Sequence, residues 1–430
     1  MQLTIYRGTK EIGGSCVEVC TASTRIILDV GLPLVNPDRE PFDPGIICGK
    51  SIEDLTAAKV LPRVPGLFGE GSPPDAILLS HSHLDHTGLL HLTRPDIPIW
   101  ATSGTSKMML AGAVFSRQRE LDGARQRKVT AKQTFTIGDM TITPFAVDHS
   151  TFGSVAYLIK AEGKTLFYSG DLRTHGRKPG MVRELVAELR PRNIDVLLIE
   201  GTHFGSNRRK GITEFELEDK IVGHVRSAPG LVLACFSPVD VDRLVTWYRA
   251  SQRSGRTFVA DAYAAFVMHL AASEAAIPRP TGAAGIQVYF NRAFEVRQLN
   301  TIRKLFESDR ISLGQILADP AQYVMVFRPT MTELDFGSVL PTGSRCLYSY
   351  WEGYLKKPDW IQLQDHLKKT GGDFIPAHTS GHIFIEDHLD LVRAINPKCV
   401  VPIHTFEPGS FRRHFANVEL LNDAEPYLIP

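Results

Sequence analysis

Residues 81–86 place three imidazoles and one carboxylate within six consecutive positions, as His81, His83, Asp85 and His86. They follow an apolar stretch, residues 76–79, whose composition predicts a buried strand. Burying these polar groups without a cation would be costly, and imidazole together with carboxylate is a ligand combination that suits zinc. We therefore predict a metal site whose ligands are presented at the end of a strand.

The same arrangement, an apolar segment that ends in a potential ligand, recurs elsewhere in the chain. Asp29, His149, Asp171 and His404 each follow a segment with the character of a strand. Any one of them would serve equally well as a turn or capping residue. Because one arrangement is repeated, we expect these side chains to converge on the same site.

The length of 430 residues exceeds what one ordinary core accommodates, so two domains, or one domain interrupted by another, are expected. Hydrophobic residues make up 43% of the chain, yet no apolar run reaches the roughly 18 residues of a membrane span. The first residues do not resemble a signal peptide. The six cysteines are scattered and do not predict a disulfide framework. A cytoplasmic protein without a membrane segment is expected.

The net charge of +1 leaves only local clusters of positive charge as candidate nucleic-acid surfaces. Each cluster alone is more typical of a solvated face than of a binding site. The three clusters are residues 117–128 (Arg117, Arg119, Arg125, Arg127, Lys128), residues 208–210 (Arg208, Arg209, Lys210) and a helix-like run (Arg292, Arg297, Arg303, Lys304).

The pattern of predicted elements changes along the chain. Up to about residue 200, many predicted strands are consecutive, which indicates antiparallel or mixed sheets with helices outside. After about residue 205, strands and helices alternate, which is typical of a parallel sheet. Residues 277–285 are rich in proline and glycine and predict a loop. From residue 373 onward, strands followed by histidines return.

These segments resemble the metallo-β-lactamase superfamily, and more narrowly its β-CASP branch, which includes ribonuclease J. Glu200, between a strand and Thr202, resembles the branch's acidic motif, and Thr379-Ser380-Gly381-His382 resembles its second motif. His404 stands where the third motif would, although Thr405-Phe406-Glu407 follows it instead of the Gly-Glu of ribonuclease J relatives. Residues 8–15 resemble the glycine-rich first hairpin of ribonuclease J.

The resemblance implies an α/β fold, a metallo-β-lactamase αββα sandwich interrupted by a parallel α/β β-CASP domain. The sandwich would comprise residues 1–205 and 371–430, and the inserted domain residues 206–370. The resemblance also implies two divalent ions, with zinc favoured and manganese as the alternative. One ion would be held by His81, His83, His149 and Asp171, and the other by Asp85, His86, Asp171 and His404.

Further roles are carried by the resemblance alone. Asp29 would orient a ligand imidazole, and Glu200 would orient either His404 or His382. Asp85, Glu200 and His382 would be the catalytic residues, with His382 protonating the leaving oxygen or holding the scissile phosphate. His378 and Ser380 would contact a substrate phosphate, although His378 is equally well explained as a turn histidine.

The implied activity is hydrolysis of phosphodiester bonds by a bridging hydroxide, as a ribonuclease that acts from the 5′ end, internally or both. Single-stranded RNA is the expected partner, DNA is the alternative, and a homo-oligomer is left open.

Aromatic residues would stack on the bases of the nucleic acid. One aromatic cluster precedes the return to the first domain, and core packing is the better explanation for at least two of its members: Tyr348, Tyr350, Trp351 and Tyr354.

Two other function classes compete with the nuclease. The first is a metallo-hydrolase that cleaves a small thioester, lactone or cyclic nucleotide at the same dinuclear site. The large insert disfavours it, because small-substrate members seldom need one. The second is a binding module that has lost catalysis, which the full ligand set disfavours.

Overall fold

The computed structural model describes residues 1–36, 39–116, 118–280 and 285–430, which form two compact units. The first unit comprises Met1–Thr174, Lys178–Lys210 and Gly381–Pro430, and the second comprises His175–Arg177 and Gly211–Ser380. Arg117 of the first basic cluster and residues 281–284 of the predicted loop lie outside the described residues. The domain boundaries given by the resemblance stay a prediction.

The first part of the chain supplies most of the first unit. Its strands are β1 Gln2–Arg7, β2 Cys16–Cys20, β3 Arg25–Leu28, β4 Ala76–Leu78, β5 Ile99–Thr102, β6 Gln126–Val129, β7 Phe135–Ile137, β8 Met140–Ala146, β9 Val155–Ala161, β10 Lys164–Tyr168 and β11 Val196–Glu200. Its helices are α1 Ile52–Ala57, α2 Leu84–Thr87, α3 Ser103–Phe115 and α4 Gly180–Leu189.

The remaining elements follow in chain order. The second unit contains strands β12 Val232–Cys235, β13 Thr257–Asp261, β14 Ile286–Tyr289, β15 Tyr323–Val326, β16 Arg345–Tyr348 and β17 Asp373–Pro376. Its helices are α5 Glu214–Ser227, α6 Val241–Arg253, α7 Ala262–Ala271, α8 Arg292–Glu295, α9 Asn300–Phe306, α10 Leu313–Ala318, α11 Met331–Leu334 and α12 Pro358–Lys369. The first unit is completed by α13 Ile385–Ile395, β18 Cys399–Ile403 and β19 Pro426–Leu428.

The first unit consists of two mixed sheets with helices on their outer faces. The strand orders are β19-β1-β2-β3-β4-β5-β6 and β18-β11-β10-β9-β8-β7. Buried side chains from both sheets, such as Ile26 and Tyr157, form one central core. Separate cores join one sheet to α3 and α1, and the other sheet to α4 and α13. This layering confirms the predicted α/β class and its αββα sandwich.

The second unit is built on one parallel sheet of order β14-β13-β15-β12-β16-β17. Helices cover both faces of such a sheet, so its strands read as continuous apolar runs, and all four residues of β12 are buried. The predicted alternation of strands and helices after residue 205 is confirmed. Helix α5 begins at a capping box, in which Thr213 and Glu216 exchange hydrogen bonds.

Two expectations about basic clusters need correction. Arg125 is buried and donates to the Ile97 carbonyl and to Thr93, so it serves the fold instead of an exposed surface. The helix-like run that contains Arg292 and Arg303 is two short helices, α8 and α9, separated where Gln298 adopts a positive φ of 52°.

Among the described residues, no helix is long and apolar enough to cross a bilayer.

The aromatic cluster divides as the core-packing explanation predicts. Tyr348 is buried, and Tyr350 packs against the same core of the second unit. Trp351 and Tyr354 are 58% and 40% exposed, and their rings contact each other edge to face. Of the four aromatic residues in this cluster, Trp351 and Tyr354 are therefore the exposed pair.

Candidate metal centre

Most of the candidate ligands follow strands that run in the same direction. Asp29 and His81 follow β3 and β4, which pair in parallel. Asp171 and His404 follow β10 and β18, which are both parallel to β11 between them. Because the carboxyl ends of parallel strands lie at one edge of a sheet, each sheet directs its polar residues to a common edge.

The turn after β4 carries the densest part of the centre. His83 precedes α2, and Asp85 and His86 lie within that single helical turn. The neighbouring chain passes so close that a Cβ at Gly31 would lie 1.7 Å from the Asp85 carbonyl oxygen. Only glycine therefore fits at residue 31, and its close approach lets the backbone at Asp85 pack directly against the neighbouring chain.

The candidate ligands form two sets whose donor atoms lie within 4.8 Å of one another in each set. The first ligand set is His81, His83 and His149, and the second ligand set is Asp85, His86, Asp171 and His404. Asp171 also adjoins the first set, because its Oδ2 lies 3.7 Å from His81 Nε2 and 3.8 Å from His149 Nε2. Ligands about 2.0–2.2 Å from one zinc ion lie at such separations from one another.

Several buried nitrogen and oxygen atoms of the candidate ligands lack a hydrogen-bond partner. They are Nε2 of His81, Nε2 of His86 and both carboxylate oxygens of Asp171. Asp171 is 2% exposed, and leaving a buried carboxylate without hydrogen bonds is costly. Each of these four atoms could bind a divalent cation, so the unsatisfied atoms fit a metal site.

Hydrogen bonds on the far side of the imidazoles hold them in orientation. His86 Nδ1 donates to Asp29, 2.8 Å away, and Asp29 also accepts from Ser80 and from the Tyr168 hydroxyl. His149 Nδ1 donates to the Gly381 carbonyl oxygen at 2.6 Å. In both rings, this leaves Nε2 as the nitrogen that faces the centre.

The electrostatics of His81, His149 and Asp171 favour the protonation states that bind cations. Burial, with neighbouring imidazoles, lowers the pKa of both His81 and His149, so these rings are neutral. Burial raises the pKa of Asp171, but His404, His86 and His382 outweigh it and hold that pKa well below its ordinary value. Asp171 is therefore ionised. Burial lowers the pKa of His86, but Asp171, Asp29 and Asp85 outweigh it and raise that pKa well above its ordinary value.

His382 occupies a different position from the other imidazoles. Its Nδ1 lies 3.1 Å from Glu200 Oε1 and 3.1 Å from Thr202 Oγ1, and its side chain is 22% exposed. Burial lowers the pKa of His382, but Glu200 and Asp171 outweigh it and raise that pKa to about 9. Of the two partners that the sequence left open for Glu200, the hydrogen bond goes to His382.

His404 is held by other groups. Its Nδ1 lies 3.0 Å from Thr202 Oγ1, and its Nε2 lies 3.2 Å from Asp85 Oδ2. His404 and Asp29 both adopt positive φ angles, 55° and 58°. Such backbone conformations are uncommon for residues other than glycine and cluster at functional sites.

The two predicted phosphate contacts, His378 and Ser380, belong to the second unit. The His378 ring lies beside the Ser349 carbonyl oxygen and the Arg243 guanidinium, and the Ser380 carbonyl accepts from His175. Their contact with a substrate phosphate stays a prediction.

Sequence reasoning missed two residues that support the centre. Tyr168 is an ordinary member of an apolar strand, and nothing in its context signals the hydrogen bond to Asp29. Thr202 lies beside Glu200 in the acidic motif, which was the available signal for its contacts with His382 and His404.

Comparison with known proteins agrees with this geometry. Residues 42–246 match the family model described as the β-lactamase superfamily domain. The chain is 23% identical to a ribonuclease J of Pyrococcus abyssi, across 98% of this chain and 92% of that protein. It is 24% identical to a ribonuclease J of Mycobacterium tuberculosis, across 98% of this chain and 71% of that protein.

A solved structure shares the fold of the whole chain. A protein of unknown function from Enterococcus faecalis V583 superposes with a TM-score of 0.77 at 21% identity, covering 99% of both chains. The superfamily match, the relatives that align over nearly the full length and this shared fold agree with one another. The β-lactamase superfamily match and the ribonuclease J relatives together support a ribonuclease J-like family of the metallo-β-lactamase superfamily for this chain.

Proposed function

We propose that this protein is a metal-dependent ribonuclease that hydrolyses phosphodiester bonds of single-stranded RNA at a dinuclear centre. The observation that carries the proposal is the convergence of both ligand sets on the unsatisfied oxygens of Asp171. Full-length relatives named ribonuclease J support RNA as the substrate. Cleavage from the 5′ end, internal cleavage or both belong to the same proposal.

The first ion would be held by the first ligand set with Asp171, and the second ion by the second ligand set. Zinc is favoured by the imidazole-rich donors, and manganese is the alternative. Divalent ions in such sites polarise phosphoryl oxygens and lower the pKa of bound water to a value near neutrality. Asp29 would keep the Nε2 of His86 directed at the centre through their hydrogen bond.

His382 would act on the leaving group. Glu200 fixes its Nδ1, and the 22% exposure of the side chain would let a substrate reach the ring. From there, Nε2 would donate a proton to the leaving oxygen or a hydrogen bond to the scissile phosphate. Because His382 also adjoins His149 and Asp171, a role as a metal ligand is the competing assignment.

The test is His382→Ala, measured with RNAs that carry a 5′-monophosphate or a 5′-triphosphate. We expect RNA cleavage to fall about 10²–10⁴-fold while metal content stays unchanged. His414→Ala is the matched control, because this imidazole of the first unit lies outside both ligand sets. Product lengths from the unmodified protein distinguish cleavage from the 5′ end from internal cleavage.

Other outcomes would overturn parts of the proposal. If metal content falls together with activity, His382 is a ligand and its assigned role is wrong. If the unmodified protein cuts neither RNA nor DNA with zinc or manganese, but does cleave a small thioester, lactone or cyclic nucleotide, the ribonuclease proposal fails.

A further inference from the structure

Two aromatic rings of the first unit follow closely after metal-ligand candidates. Phe406 is two residues beyond His404, and Phe152 is three residues beyond His149. Two residues span at most about 7 Å of chain and three at most about 11 Å. His404 and His149 belong to different ligand sets, so one ring accompanies each set.

Each ring is paired with a cation from a distant part of the sequence. The Arg39 guanidinium lies 5.2 Å from the centroid of Phe406, and the Lys178 ammonium lies 5.9 Å from the centroid of Phe152. Both distances are within the range of a cation–π contact. Both rings are half-buried, whereas both cations are exposed.

Across the described part of the chain, no carboxylate forms an ion pair with Arg39 or Lys178. An unpaired cation that lies against an aromatic ring offers a flat, positively charged surface, which suits the bases and phosphates of a single strand. Arg39 adds a planar guanidinium on which a base stacks directly.

The residues on either side of Arg39 also lie near the second ligand set. Val35 forms a β-bridge with Pro41. A Cβ at Gly13 would lie 2.6 Å from Leu34 Cγ and 3.0 Å from Asp85 Cβ, so Leu34 lies close to Asp85. Leu34 therefore borders Asp85, and the Arg39 guanidinium borders Phe406.

We propose that Phe406 with Arg39, and Phe152 with Lys178, are two stacking platforms that hold the nucleobases on either side of the scissile phosphate. This inference rests on the proposed ribonuclease function and specifies how its substrate is gripped. Stacking on a phenyl ring tolerates every base, so the platforms would select single-stranded nucleic acid without a strong sequence preference.

The test couples protein variants to substrate variants. A labelled single-stranded RNA is compared with strands in which one nucleotide, immediately before or after the mapped cleavage site, lacks its base. Phe406→Ala is expected to raise KM about 5- to 100-fold on the intact strand, since a lost base–aromatic stack weakens binding by that much. On one of the two abasic strands, it is expected to add almost nothing.

Phe152→Ala should behave in the same way with the other abasic strand. Phe406→Trp should keep the KM of the unmodified protein, whereas Phe406→Leu, which is apolar but has no ring, should not. Metal content is measured for each variant and is expected to stay constant.

The outcomes separate the two proposals. If RNA is cleaved but each alanine variant loses as much on abasic strands as on intact ones, the platforms are wrong and the ribonuclease function stands. If the unmodified protein neither cleaves nor binds RNA, both proposals are overturned.

Discussion

Each of the two units buries a cluster of charged side chains, and the clusters differ in whether their polar atoms find partners. In the second unit, all three nitrogens of the Arg243 guanidinium donate hydrogen bonds: Nε and Nη2 to Glu214, and Nη1 to the Ser349 hydroxyl. In the first unit, both oxygens of Asp171 lack a donor. The cluster around Arg243 satisfies its own polar atoms and acts as a structural element, whereas the unsatisfied atoms around Asp171 fit bound cations.

The largest contrast is expected from Asp85→Ala. This change removes a carboxylate from the second ligand set and leaves the imidazoles of the first set in place. We expect hydrolysis to be abolished, one of the two bound ions to be lost and the fold to be retained. Metal analysis, turnover and thermal unfolding of the same preparation check this. Turnover near that of the unmodified protein would refute the assignment.

The self-satisfied cluster should respond in the opposite way. Arg243→Met leaves Glu214, which is fully buried, without its cation, so the free energy of unfolding should fall by about 3–5 kcal/mol. Metal content should stay constant. Arg209→Met is the matched control, because the exposed Arg209–Glu386 pair contributes little to stability. Denaturant unfolding measures both, and loss of metal without loss of stability would erase the distinction between the clusters.

A smaller effect is expected behind the ligands. Asp29→Asn keeps a residue that tolerates the positive φ of 58° but weakens the hydrogen bond to His86. Zinc affinity should fall about 10- to 100-fold, and saturating zinc should restore the rate. Tyr168→Phe removes only the hydroxyl that donates to Asp29 and should shift affinity less. Unchanged affinity in Asp29→Asn, measured by titration of the metal-free protein, would contradict the orienting role.

Sequence patterns predicted the part of the fold that depends on buried apolar strands. The consecutive strands before residue 200, such as β8 to β11, and the parallel character of the sheet in the second unit follow from such patterns. Strands β6 and β7 were missed because they are short, and β6, with Arg127 and Lys128 exposed, reads as a charged surface. Their pairing is set by neighbouring strands and not by their own composition.

The sequence indicated the candidate ligands, because the segments that carry them follow strands, but it did not indicate the hydrogen-bond partners of those residues. The choice of His382 for Glu200 depends on how β11 and the segment after Gly381 meet in space. These residues are 182 positions apart, and local patterns carry no information about such a pairing. The same reason explains why the support given by Tyr168 to Asp29 was missed.

The dinuclear centre stands or falls with the number of divalent ions bound to the intact protein. Metal content should be close to two ions per chain, as two ligand sets that share Asp171 require. Excess chelator should remove both ions together with RNA hydrolysis, and added zinc or manganese should restore the two in parallel. Undiminished hydrolysis in excess chelator, by protein shown to contain no metal, would contradict the account.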